Sequence, residues 1–121
     1  MATNNLANKN NKVIPVRLVK GAYWDSEIKY AQVSGFDDYS VFTRKPLTDL
    51  SWMACAAKLI KYQKNIFPAF ATHNAYSIAF IEEIARGCKF EFQRIHGMAD
   101  ILHNYFNKNS NLEKTKCRYH I

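Results

Sequence analysis

Three times along this chain a short apolar, strand-like run passes through a polar cluster into a helix-like one. The clusters are Arg17-Leu18-Val19-Lys20-Gly21-Ala22-Tyr23, Ala71-Thr72-His73-Asn74 and Gln93-Arg94-Ile95-His96-Gly97-Met98. Repeated strand-to-helix units build parallel sheets, and in such α/β folds ligands gather at the carboxyl ends of the strands, where loops carry function and strands fix its position. The pattern therefore predicts both a fold class, α/β, and the place where chemistry sits.

The run Val13 to Val19 is β-branched and short, interrupted by Pro15 and one charge, and reads as a buried strand. Asp25, Ser26 and Glu27 supply caps and first-turn acids for a helix reaching about Val33, with Gly35 as its stop; Phe36 to Pro46 reads as a loop. Thr48 is expected to cap a helix that buries Leu50, Met53, Ala57 and Ile60, ended by Asn65 and Pro68. A second strand is expected over Phe67–Thr72, then a helix capped by Asn74, covering Ser77–Arg86 and closed by Gly87. The third strand is Phe90–Ile95, followed by a helix with Ile101, Leu102, Tyr105 and Phe106 on one side and a polar connection over Asn107–Thr115. A fourth strand opens at Lys116. Strand starts at 67, 90 and 116 lie 23 and 26 residues apart, the size of a strand–helix unit in a parallel fold.

At 121 residues and 48% hydrophobic the chain suits one modest core. A complete eight-fold barrel needs about 200 residues or more, so a barrel reading makes this roughly half of one. Residues 1–12, rich in Asn and Lys, are expected to be a disordered lead-in, with 13–121 forming the partial barrel. The net charge of +7 is compatible with nucleic acid, a phosphate-bearing cofactor or an anionic surface, and by itself selects none. Cys55, Cys88 and Cys117 are too widely spaced for a C-x-x-C motif and are expected to be ordinary, partly buried thiols. Without an apolar run of about 18 residues or a secretory leader, a cytoplasmic location is expected.

Arg17 interrupts an otherwise apolar strand, so its side chain takes the opposite face from its neighbours and, if buried, requires a partner. A structural ion pair satisfies that need, and so does a ligand atom in a barrel interior. Lys20, Gly21 and Ala22 combine a cation with small residues at a strand-to-helix turn, where backbone N–H groups approach a phosphate closely. Thr72, His73 and Asn74 bring a hydroxyl, an imidazole and an amide together, although Asn74 is also explained as a helix cap. Gln93 repeats the pattern and is able to donate and accept toward a planar heterocycle. Tyr23, Trp24 and Trp52 read as core or pocket walls, Tyr23 being the one expected to face a ligand. His96 and His103, seven residues apart with no acid or Cys in ligand spacing, make a poor metal site, and no metal is expected.

The segments VRLVKGAYWDSEIKYAQ, VFTRKPLTDLSWMACAAKL, FATHNAYSIAFI and FEFQRIHGMAD closely resemble the proline dehydrogenase domain of the bifunctional proline utilisation A flavoenzymes, from about Val13 to Met98 and more loosely to Ile121. The resemblance implies a distorted (βα)8 barrel that holds FAD and oxidises L-proline to Δ1-pyrroline-5-carboxylate. This chain would supply about strands five to eight. By resemblance Arg17 is the catalytic arginine near flavin N5. Lys20, Gly21, Ala22 and Trp24 line the FAD phosphate and ribose region, Tyr23 packs over the substrate, and Thr72, His73, Asn74 and Gln93 make further cofactor contacts.

The family's paired arginine for the proline carboxylate has no counterpart before Ile121, and the earlier strands are absent, so the chain is expected to be a truncated product inactive alone. A second expectation is a half-barrel that complements a separately encoded N-terminal half through its open strand edges. A small basic nucleic-acid-binding module is a third and is disfavoured, because the charge is spread along the chain without a recognised motif. Peripheral membrane contact follows from family analogy alone.

Overall fold

The computed structural model describes residues 2–21, 23–109 and 116–120, the last segment and Asn109 by their backbone. Helix α1 (Ala2–Lys9) leads into strand β1 (Ile14–Val19). Helices α2 (Trp24–Val33) and α3 (Lys45–Lys61) follow, then β2 (Ile66–Ala71), α4 (Ala75–Ile84), β3 (Glu91–Ile95), α5 (Asp100–Asn109) and β4 (Lys116–His120). The strands form a parallel sheet in the order β1-β2-β3-β4, so neighbours in the chain are neighbours in space. The α/β class and the parallel pairing expected from the sequence are both present.

Register divides the sheet into two unlike faces, because paired residues of parallel strands point to the same side. Ile14, Val16 and Leu18 share one face with Ile66, Pro68 and Phe70, and Phe92 extends it across β3. There they meet Trp52, Ala56, Leu59 and Ile60 of α3 and Ile78 and Ile81 of α4 to form the core. Edge-to-face contacts run through it from Trp52 to Phe70 to Phe90 to Phe92. The other face carries Arg17 and Val19 beside Ala69 and Ala71, and these beside Glu91 and Gln93. Pro68 sits inside β2 without breaking it. Its register partner is Val16 and pairing with β3 begins only at Ala69, so at Pro68 the strand has a neighbour on one side alone.

Several expectations change. Ala2–Lys9 is helical rather than a disordered lead-in: Ala7 is fully buried, and the Asn65 amide donates to Asn4 Oδ1 at 3.0 Å, tying α1 to the start of β2. Helix α3 begins at Lys45, with Pro46 in its first turn where a missing N–H is harmless, and not at a Thr48 cap. Its buried stripe is Trp52, Ala56, Leu59 and Ile60; Leu50 is 64% exposed, and Ala57 faces outward. On α5 the inward side is Leu102, His103 and Phe106, while Ile101 and Tyr105 are exposed. Cys55 is exposed and Cys88 half-buried. Ala22, most of the Asn107–Thr115 connection and the Cys117 side chain lie outside the described residues.

A candidate ligand pocket at the strand ends

The carboxyl ends of β1, β2 and β3 open onto a concavity of about 530 Å³ lined by Arg17, Val19, Lys20, Ala71, Thr72, His73, Asn74, Gln93, Arg94, Ile95 and Met98. Six residues singled out from the sequence, Arg17, Lys20, Thr72, His73, Asn74 and Gln93, therefore converge. Gly21, Tyr23 and Trp24 do not share this wall. They line a second concavity with Glu27, Ser40, Val41, Phe42 and Thr48. A smaller one, bounded by Lys20, Gly21, Trp24, Thr48 and Asp49, lies between the two sets of residues. Tyr23, at 75% exposed, stands apart from the Arg17 pocket.

Arg17 occupies the face of β1 opposite the core. It is exposed and makes no hydrogen bond or ion pair among the described residues, so the described residues supply no structural ion pair for it. Lys20, one residue past β1, points back toward the helices. Its Nζ donates to Asp49 Oδ1 at 2.6 Å and to Ser77 Oγ at 3.2 Å, and sits 5.3 Å from the Trp52 ring centre. Lys45 holds the other Asp49 oxygen at 2.7 Å. Hydrogen bonds from Lys20 and then Lys45 hold the Asp49 carboxyl below the usual carboxylate range.

The second strand end is shaped by local bonds. Asn74 caps α4 by accepting from the Ser77 N–H at 3.0 Å, and its own N–H donates to Thr72 Oγ1 at 3.2 Å. Two further bonds tie this turn to β3 and α5: the Ile95 N–H donates to His73 Nε2 at 3.3 Å, and His103 Nε2 lies 3.1 Å from the Thr72 carbonyl oxygen. On β3 the buried Gln93 donates through Nε2 to Glu91 Oε1 at 2.6 Å, while its buried Oε1 has no hydrogen-bond partner among the described residues. Arg94, on the opposite face, pairs with Asp100 at the start of α5.

Arg94 lines this pocket, and Asp49, Glu91 and His103 bond to the lining residues Lys20, Gln93 and Thr72; none of the four was assigned to the site from the sequence. Glu91 was legible: it stands two positions before Gln93, hence on the same face of the strand. Arg94 adjoins Gln93 on β3, inside a cluster the sequence displays, whereas Asp49 and His103 reach the site from α3 and α5, which no local spacing reveals.

The model of the proline dehydrogenase family matches residues 2–121. The chain belongs to that family. Over 102 residues it is 48% identical to the bifunctional protein PutA of Klebsiella aerogenes and to that of Escherichia coli (strain K12), and 46% identical to that of Rhizobium meliloti. Each alignment covers 81% of this chain and 8% of the relative. Among solved structures it is similar to proline utilization A (PutA) with proline bound in remote sites, at a TM-score of 0.84 and 47% identity over 96% of this chain. The PutA of Bdellovibrio bacteriovorus inactivated by N-propargylglycine superposes at 0.88, with 31% identity over 98% of this chain. In both, the match spans 12% of the larger chain. This proline dehydrogenase segment thus corresponds to a small part of much longer proteins.

Proposed function

We propose that the chain forms strands five to eight of a (βα)8 proline dehydrogenase barrel that holds FAD and oxidises L-proline to Δ1-pyrroline-5-carboxylate in proline catabolism. The observation that carries the proposal is the convergence of Arg17, Lys20, Thr72, His73, Asn74 and Gln93 at the carboxyl ends of adjacent parallel strands, in a member of the proline dehydrogenase family. Sequential strand order, with the core on one sheet face and Arg17 and Gln93 on the other, supports the barrel reading.

The residues fit a flavin. Gln93 brings to the pocket a buried acceptor, and Arg17 a guanidinium, neither with a hydrogen-bond partner among the described residues. Lys20 borders both the main pocket and the concavity that leads to Gly21 and Trp24, so an extended dinucleotide has a continuous surface to follow. FAD, when bound, supplies the hydride acceptor for proline oxidation. Arg17 places a fixed positive charge where negative charge would build up during the reaction, an interaction that strengthens toward the transition state. Gln93 orients a planar ring through its amide, and Lys20, steadied by Asp49, offers a cation to phosphate oxygens. Tyr23 as a substrate contact rests on the resemblance alone, since here it borders the second concavity.

A chimera tests the proposal: the matching segment of Escherichia coli PutA is replaced by residues of this chain, and proline-dependent dye reduction is measured. Turnover that disappears on Arg17→Ala is expected. A folded chimera that retains no FAD would refute the proposal. The 121-residue chain alone is expected to show no turnover, and co-expression with a polypeptide carrying the earlier barrel strands tests complementation by co-purification.

A further inference from the structure

The turn that carries Thr72 and His73 is braced from beneath by a histidine with no part in the proposed chemistry. His103, on α5, is 1% exposed, and its Nε2 lies 3.1 Å from the Thr72 carbonyl oxygen. A carbonyl oxygen only accepts, so this Nε2 carries a proton. In the adjacent residue His73 the assignment is the reverse. The Ile95 backbone amide only donates, so His73 Nε2 receives that bond as a bare lone pair, and the proton of the neutral ring is on Nδ1. The two imidazoles meet edge to face with centres 6.4 Å apart, and Phe92 packs against His103 at 6.1 Å.

We infer that His103 is a positioning residue for the pocket: by donating to Thr72 it fixes the β2–α4 turn and holds His73 as the Nδ1–H tautomer, a hydrogen-bond donor toward an acceptor atom of the bound ligand. The inference rests on the reading of this pocket as a ligand site and adds the donor polarity of one of its walls. Burial keeps His103 neutral, lowering its pKa from the ordinary 6.5; Arg94 and His73 push the same way, against the Thr72 carbonyl and Asp100. A neutral His103 with its proton on Nε2 is what the bond to Thr72 requires.

Long-range proton–nitrogen correlation spectra of the labelled 121-residue chain near neutral pH read the tautomer of each ring directly. The wild type and His103→Gln, whose amide keeps a donor, are expected to show His73 as the Nδ1–H form. His103→Phe is expected to show both His73 tautomers with an unchanged far-UV circular dichroism spectrum, and to bind FAD about tenfold more weakly, the loss of one hydrogen bond. His73 protonated on Nε2 in the wild type, or an unchanged His73 pattern in His103→Phe, overturns the inference. Should His103→Phe fail to fold, His103→Gln decides: a folded variant that loses the Nδ1–H pattern counts against it, and one that keeps it counts for it. A wild-type chain that binds no FAD yet shows the expected tautomers would sink the flavin reading while leaving the positioning role standing.

Discussion

Arg17→Ala removes an exposed guanidinium that makes no hydrogen bond or ion pair among the described residues. Its effect on unfolding free energy is therefore expected to stay within about 0.5 kcal/mol in a denaturant titration, as for other surface substitutions, even as ligand binding is lost. Asn74→Ala behaves in the opposite sense. It deletes the cap that receives the Ser77 N–H, and should cost about 1 kcal/mol of stability in the same measurement. His103 gives the chain a pH signature. Its folded pKa lies below 6.5, so the unfolded state binds a proton more readily, and stability should fall as pH drops below that value. In His103→Phe, thermal melts across that range should lose this component of the slope. Asp49 acts lower on the scale: its depressed pKa contributes stability above about 3.8 that disappears as its folded form protonates.

Among the elements, α3 shows how far pattern reading reaches. The expected row Leu50, Met53, Ala57 and Ile60 and the observed stripe Trp52, Ala56, Leu59 and Ile60 both fit helical spacing; Ile60 is common to them and Met53 packs at the core's edge, while the packing of Trp52 on Phe70 turns Leu50 and Ala57 outward. Trp52→Ala is accordingly expected to cost about 3–5 kcal/mol and Leu50→Ala little, measured by thermal or denaturant unfolding. Strand positions were easier to read, because β1 and β2 are short and largely apolar, and the strands are bounded by Asn65, Asn74 and Gly97, which punctuate the chain. The same punctuation made Arg17, Lys20, Thr72–Asn74 and Gln93 legible as strand-end residues. Pairings between elements, Lys20 with Asp49 and His103 with Thr72, depend on how α3 and α5 dock and leave no trace in local sequence. The entry to α5 holds one strained backbone, Ala99 at φ 53°. Ala99→Gly should raise stability by about 1 kcal/mol by removing the Cβ clash of a left-handed residue.

Over the whole molecule, Tyr30, Val33, Phe36, Leu50, Ile101 and Tyr105 are exposed, while the sheet face bearing Arg17 and Gln93 is the one away from the core helices. Among the described residues no helix is long and apolar enough to cross a membrane. The chain matches 8% of the length of its PutA relatives, so its pocket is best judged by what it holds rather than by turnover. The measurement that tests this most directly is a titration of the purified 121-residue chain and of its Arg17→Ala variant with FAD, following flavin fluorescence and far-UV circular dichroism together. Saturable binding by a folded wild-type chain, lost in an equally folded Arg17→Ala, is the result the account predicts. A folded wild-type chain that leaves flavin fluorescence unchanged, or an Arg17→Ala variant that binds as well as the parent, would contradict it.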